Sequence, residues 1–199
     1  WIEGSEMEPS ETLLTDIRVT GLGTYGAISS SLSRDPHFLG GAMRTAVSPI
    51  GDGRGLAEAW KRGTEIPLAG FDRGLKETAT VTFLYDNDNL YCLFKAVADG
   101  QKSRIPGFSG NDVPAYRDDS VELFLDPGRS LQHYFHFAAN SGAGRYDAKC
   151  GDDIRNRSWN SNWVVKSAES ENGWSVEIAI PFLSLSTQAP HAGELWGAN

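Results

Sequence analysis

Glu122 and Glu177 each sit within a stretch that alternates apolar and polar residues, "SVELFLD" (120–126) and "GWSVEIAIP" (173–181). A pair of carboxylates is what a glycosidase uses, one to protonate the leaving group and one as nucleophile or base. The commoner role of a glutamate within a strand is to bond a hydroxyl or a backbone group, and that is the expectation for Glu177. His133 and His136, in "HYFHFAAN" (133–140), fall on opposite faces of one strand and so cannot chelate a single metal together. Cys92 and Cys150 lack the short paired spacing of a zinc ribbon or a redox motif.

The elements that position these residues are mostly strands. "TATVTFLYD" (78–86) and "LYCLFKAVA" (90–98) alternate with period two and flank the turn residues "NDN", which predicts a hairpin. Further strands are predicted at 120–126, 133–140, 162–169 and 173–181, each bounded by Gly, Pro, Asn or Asp. "GLAEAWKRG" (55–63) reads as about two helical turns stopped by Gly63, and "PFLSLS" (181–186) as a single turn opened by Pro181. The fold class is therefore all-β, an antiparallel β-sandwich of immunoglobulin-like or jelly-roll-like form with one or two short helical turns. Residues 1–45, with a plausible strand and a Gly/Ser-rich stretch, read as the tail of a preceding domain, an extension or a linker. Residues 46–199 form the sandwich.

Parity assigns the faces. Val121, Leu123 and Leu125 point to the core, and Ser120, Glu122 and Phe124 point away. On the next strand Tyr134, His136, Ala138 and Asn140 share one parity, so pairing would bring His136 and Asn140 beside Glu122. A face that also gathers Glu177 and Lys95 would be unusually polar for a strand surface and would suit a ligand rich in hydroxyls. Tyr116, after Pro114 in a loop, offers a ring for the apolar side of a sugar, and Trp159, in the polar loop "RNRSWNSNW", a second. Asp118 and Asp119 fit the entry to the strand, bonding local N–H groups, with Arg117 as a partner for one of them. Trp60, Trp163 and Trp174 read as core residues. Cys92 reads as an inert buried thiol and Cys150 as part of a polar loop.

The segments "DGRGLAEAWKRG", "TATVTFLYDNDNLYCLFKAVAD", "YRDDSVELFLDP", "WSVEIAIPFLSL" and "GELWGAN" resemble, in order and wording, the family 9 carbohydrate-binding modules over about residues 46–199. The resemblance implies a noncatalytic β-sandwich that binds an oligosaccharide or polysaccharide. It further implies a secreted parent protein with a companion catalytic domain that degrades glycans such as xylan. By position, Tyr116 takes the place of the first sandwiching aromatic and Glu122 that of the hydroxyl-binding glutamate. The family's sugar-binding arginine falls on Ala138, which leaves His136 or Asn140 to replace its contact. The second aromatic of the family's clamp falls beyond Asn199, so the resemblance implies a module truncated at its C-terminus. It also admits a structural calcium ion, although no loop has the spacing of a dedicated calcium motif; no other cofactor is expected.

Composition bounds the alternatives. Of 199 residues, 40% are hydrophobic and 11% aromatic, which suits a packed domain. The net charge of −8 without a Lys/Arg cluster gives no electrostatic support for nucleic acid or an anionic membrane as partner. Two other readings remain in view, a sandwich that serves only as a structural spacer and a glycoside hydrolase domain.

Overall fold

The computed structural model describes residues 15–20, 40–68, 78–97, 106–130, 132–152 and 154–199. Twelve strands form among them: β1 (Thr15–Thr20), β2 (Gly40–Arg44), β3 (Glu65–Leu68), β4 (Thr78–Tyr85), β5 (Asn89–Val97), β6 (Ser120–Asp126), β7 (Tyr134–Asn140), β8 (Arg145–Gly151), β9 (Ile154–Asn156), β10 (Val164–Ser170), β11 (Gly173–Pro181) and β12 (Leu195–Ala198). The ladder runs β10-β11-β5-β4-β2-β1-β12-β6-β7-β8-β9, with β3 on β4. Pairing is antiparallel except at β1–β2 and β2–β4, which are parallel. The path folds over on itself as a sandwich. Strands β10, β11, β5, β4 and β3 make a first sheet, and β12 with β6 to β9 a second.

Alternation explains why the two halves close. Phe83, Phe94, Val176 and Ile178 of the first sheet share one buried cluster with Leu123, Leu125, Phe135 and Phe137 of the second. Each such side chain contributes roughly 1.5–3 kcal/mol when fully removed from water, so a one-residue slip of register would expose the whole set. Trp163, Phe182 and Trp196 complete the cluster.

The predicted hairpin forms as β4–β5. Asp86 Oδ1 accepts the N–H groups of Asp88 and Asn89, both at 2.8 Å, and Asp86 Oδ2 accepts the Tyr91 hydroxyl at 2.6 Å. The turn is thus built by an aspartate bonding the backbone just ahead of it. The segment 55–63 departs from expectation. It forms a 3-10 helix only over Glu58–Arg62, without a side-chain N-cap, and Gly63 closes it with its N–H on Trp60 O. After Pro181, the last residue of β11, the i to i−3 bonds Ser184 N–H to Pro181 O and Leu185 N–H to Phe182 O make the predicted single turn.

Cys150 is a correction. It lies in β8, 4% exposed among Ala115, Ala138, Tyr146 and Ala148, and not in a polar loop. The strand "RYDAKCG" does alternate, Tyr146, Ala148 and Cys150 against Arg145, Asp147 and Lys149, and its polar parity carries the buried Asp147. Asp147 Oδ2 accepts the Ser161 N–H at 2.7 Å. Burial pushes this carboxyl above its ordinary range, with the Ser161 N–H opposing. A raised folded pKa means the native state holds this proton more tightly than the unfolded chain. The associated stability is fully present below the unfolded value of about 3.9 and is lost as pH rises through the folded one. Asp147→Asn keeps the acceptor and removes the titration. We expect it to melt at or above the wild-type temperature at neutral pH and to show a flatter fall in stability from acid to neutral pH. Thermal melts from about pH 3 to pH 8 test this; a lower neutral-pH midpoint in the variant would count against it.

Candidate functional site

The outer face of the second sheet carries a row of rings. Register sets Phe124 across from His136, and His136 across from Ala148. Glu122 lies across from Ala138, and Ala138 across from Tyr146. The alanines leave room for large neighbours on the diagonals. Phe124 stacks on His136 at 4.3 Å and 17°, and His136 meets Tyr146 edge-on at 5.2 Å. Tyr146 meets Tyr116 at 5.1 Å and 83°, while Tyr134 lies 6.0 Å from Phe124 at the other end. Tyr116, Phe124 and Tyr134 are half-buried, so the row presents ring surface to solvent.

His136 ties this row to the carboxylate. Its Nε2 lies 2.6 Å from Glu122 Oε2. A carboxylate only accepts, so Nε2 carries a proton and donates it. The imidazole is 5% exposed, clamped between Phe124 and Tyr146. It therefore orients Glu122 from beneath, and the half-open Glu122 side chain, 39% exposed, is the group available to a ligand.

The loop that carries Tyr116 is strapped to the sheet. Ala115, fully buried, opens the 3-10 turn Ala115–Arg117, and Val113 N–H bonds Arg145 O. Asp118 Oδ2 accepts the Phe108 N–H at 3.0 Å and Asn140 Nδ2–H at 2.7 Å. Asp118 thus bonds local groups and not Arg117. Asn140 is fully buried and makes all four of its side-chain bonds within the protein. Nδ2 also reaches Phe108 O, and Oδ1 accepts Gly142 N–H and Gly144 N–H. The structure therefore places Asn140 as the clasp of the loop, with no side-chain capacity left for a ligand. Removing it strands buried donors and acceptors, so Asn140→Ala should cost about 2–4 kcal/mol. Denaturant unfolding measures this; a loss under about 0.5 kcal/mol would remove the clasp role.

Beside Tyr116 opens a cleft of about 310 Å³ lined by Asp112, Pro114, Tyr116, Arg117, Tyr146 and Arg157. The Tyr146 hydroxyl is buried with no hydrogen-bond partner among the described residues. Burial pushes its pKa up, with Arg155 and Arg157 opposing, so the group stays a neutral donor in ordinary buffers.

The remaining expected site residues lie elsewhere. Trp159 packs on the core side of β7, 5.0 Å from Phe135 and 6.0 Å from Phe137, and is not brought together with Tyr116. Glu177 and Lys95 do not join the face of Glu122. They sit on the outer side of the first sheet, where Lys95 pairs with Glu65 at 3.3 Å and Glu177 is 1% exposed. Stacked sheets are about 10 Å apart, so carboxylates on their outer sides cannot flank one glycosidic bond at the ~5–9.5 Å that hydrolysis requires. Sequence reading missed Tyr146 and Arg157. The alternation of Tyr146, Ala148 and Cys150 with Arg145, Asp147 and Lys149 was the available signal for Tyr146. Among the described residues no cluster of three or more His, Cys, Asp or Glu side chains is arranged to hold a metal ion.

Solved structures share this architecture. A family 9 carbohydrate-binding module from Caldicellulosiruptor kristjanssonii, in complex with cellotriose, is 16% identical over 83% of this chain and 67% of its own, with a TM-score of 0.52. A protein from Bacteroides uniformis described as carbohydrate-binding is 15% identical over 76% of each chain, with a TM-score of 0.59. A C. kristjanssonii family 9 module in complex with glucose is 18% identical over 78% of this chain and 84% of its own, with a TM-score of 0.51. No curated protein matches the chain. The profile named "Carbohydrate family 9 binding domain-like" matches residues 50–199, three quarters of the sequence, and the β-sandwich agrees with it. The chain belongs to the carbohydrate family 9 binding domain-like family.

Proposed function

We propose that this domain is a noncatalytic carbohydrate-binding module whose site is the outer face of the second sheet around Tyr116 and Glu122. The observation that carries the reading is the row of rings with one oriented carboxylate at its side. Half-buried rings offer flat apolar surface to a sugar, and Glu122, fixed by His136, accepts from its hydroxyls. The cellotriose and glucose complexes of the C. kristjanssonii modules support a glycan as the ligand class. In this reading the module belongs to a secreted protein and holds a companion catalytic domain on its polysaccharide, raising the local concentration without cleaving a bond.

Titration against a panel of soluble oligosaccharides and insoluble polysaccharides, with a reducing-sugar assay beside it, tests the proposal. Saturable binding to a glycan without release of reducing sugar is the expected result. No binding to any glycan would favour a structural spacer. Release of reducing sugar that Glu122→Gln abolishes would favour a hydrolase.

A further inference from the structure

The rings on the outer face of the second sheet stand at two places along β7. At the level of Ala138, Glu122 lies across on β6 and Tyr146 across on β8, and Tyr116 seats on Tyr146 at 5.1 Å. At the level of His136 the residue across on β6 is Phe124, and the next outward residue of β7 is Tyr134, whose ring is 6.0 Å from that of Phe124. Positions 134 and 138 of a strand face the same way and are roughly 13 Å apart. Tyr116 on one side, and Phe124 with Tyr134 on the other, are therefore separate platforms on one face, all three half-buried. Between them His136 is 5% exposed and gives its Nε2–H to Glu122, so no polar group reaches out of the middle of the face. A pyranose ring is about as wide as the phenyl ring it stacks on. One sugar held on Tyr116, with its hydroxyls toward Glu122, thus leaves the second platform uncovered, and a chain that continues along β7 covers it with a later unit.

We propose that this face recognises a stretch of glycan three or more units long, and not a single sugar or a disaccharide. One unit stacks on Tyr116 beside Glu122, a second passes over His136, and a third stacks on Phe124 and Tyr134. The first platform supplies ring and carboxylate together and sets the orientation; the second supplies ring surface alone and measures length. This inference rests on the carbohydrate-binding reading of the same face and deepens it.

The test is calorimetric titration with cello-, xylo-, manno- and galacto-oligosaccharides of one to six units, on wild type, Tyr134→Ala and Tyr134→Phe. Phe124 is left in place because it stacks on His136, the partner of Glu122. In the series that binds, affinity should rise about tenfold or more between the disaccharide and the tetrasaccharide and then level off, as the second platform becomes covered. Tyr134→Ala, its fold checked by thermal melting, should reduce that rise to about two- to threefold and leave the affinity for one or two units unchanged, while Tyr134→Phe should keep the rise. If Tyr134→Ala fails to fold, the wild-type length series still decides. Affinity that does not grow beyond the disaccharide overturns the extended site and leaves the module reading standing. A rise that survives Tyr134→Ala undiminished also overturns it, because the longer chain would run elsewhere, and so does an equal loss at every length, because the second platform would not be separate. If no member of any series binds at millimolar concentration, both readings fall.

Discussion

Replacing Glu177 by alanine should lower stability by about 3–5 kcal/mol and free the segment 51–60 from the first sheet. Four donors converge on this buried carboxylate. Oε2 accepts Gly51 N–H at 2.6 Å and Gly53 N–H at 3.2 Å, and Oε1 accepts Gly55 N–H at 3.0 Å and the Trp60 indole N–H at 3.3 Å. No cation is among these partners, so the charge is balanced by oriented N–H groups. The loop can wrap the carboxylate because Gly53 and Gly55 adopt φ of 93° and 67°, and because a Cβ at Gly53 would lie 2.5 Å from the Ser167 backbone. Trp60 in turn packs with Leu84, Tyr91 and Leu93, covering the outer side of the sheet. Alanine leaves the buried Gly53 N–H and the indole unpaired and opens a cavity. Glu177→Gln keeps one acceptor oxygen but turns an NH₂ toward the donors, and should cost about half as much. Denaturant midpoints give the losses, and proteolysis within 51–56 reports the freed loop. A loss under about 1 kcal/mol for the alanine variant would show that water replaces the carboxylate readily.

Glu177 also shows what a sequence can and cannot convey. Its period-two neighbours, Trp174, Val176, Ile178 and Ile180, made its strand legible and placed the carboxylate on the face away from the core. Parity fixes a side chain's face within its own sheet but says nothing about which sheet that is. Glu122 and Glu177, alike in pattern, therefore end on opposite sides of the sandwich. The hairpin and strands β6, β7, β10 and β11 were readable for the same reason, since each has one apolar parity. Short strands such as β3 and β12, four residues each, offer too few alternations to stand out, and the parallel pairing of β2 with β4 depends on contacts distant in sequence. In the site, Tyr116 and Glu122 were legible as an exposed ring and an outward carboxylate. Asn140 shared the parity of Glu122, but its side chain is taken up by Phe108 O, Asp118 and the N–H groups of Gly142 and Gly144, contacts of the loop and of the turn after β7 and not of the strand pattern. His136 was legible as a neighbour of Glu122, but its burial between two rings follows from Phe124 and Tyr146 on flanking strands, and the pairing that brings them together depends on contacts distant in sequence.

Tyr116→Ala should weaken glycan binding tenfold or more while the domain keeps its fold, and the two halves of that expectation come from different contacts. The fold does not depend on this ring. The turn is held by Ala115 in its buried pocket, by Asp118 on Phe108 and Asn140, and by Val113 on Arg145, none of which the substitution touches. What is lost internally is one edge-to-face contact with Tyr146 and part of the burial of a half-exposed side chain, about 1 kcal/mol. In a domain of this size that lowers the melting temperature by about 2–4 °C. Binding loses more, because an aromatic anchor beside a cleft contributes about 2 kcal/mol or more to a small interface, equivalent to some thirtyfold in affinity. Tyr116→Phe, which keeps the ring, should retain most of the affinity and so separates stacking from the hydroxyl. Glu122→Gln keeps an acceptor within reach of His136 Nε2–H and should weaken binding only a few-fold, whereas Glu122→Ala should weaken it further. Affinity unchanged in a folded Tyr116→Ala would move the site off this face, to a surface where neither the rings nor Glu122 contribute. Affinity lost in Tyr116→Ala and kept in Tyr116→Phe would fix the sugar's apolar side on this ring, with Glu122 directed at its hydroxyls.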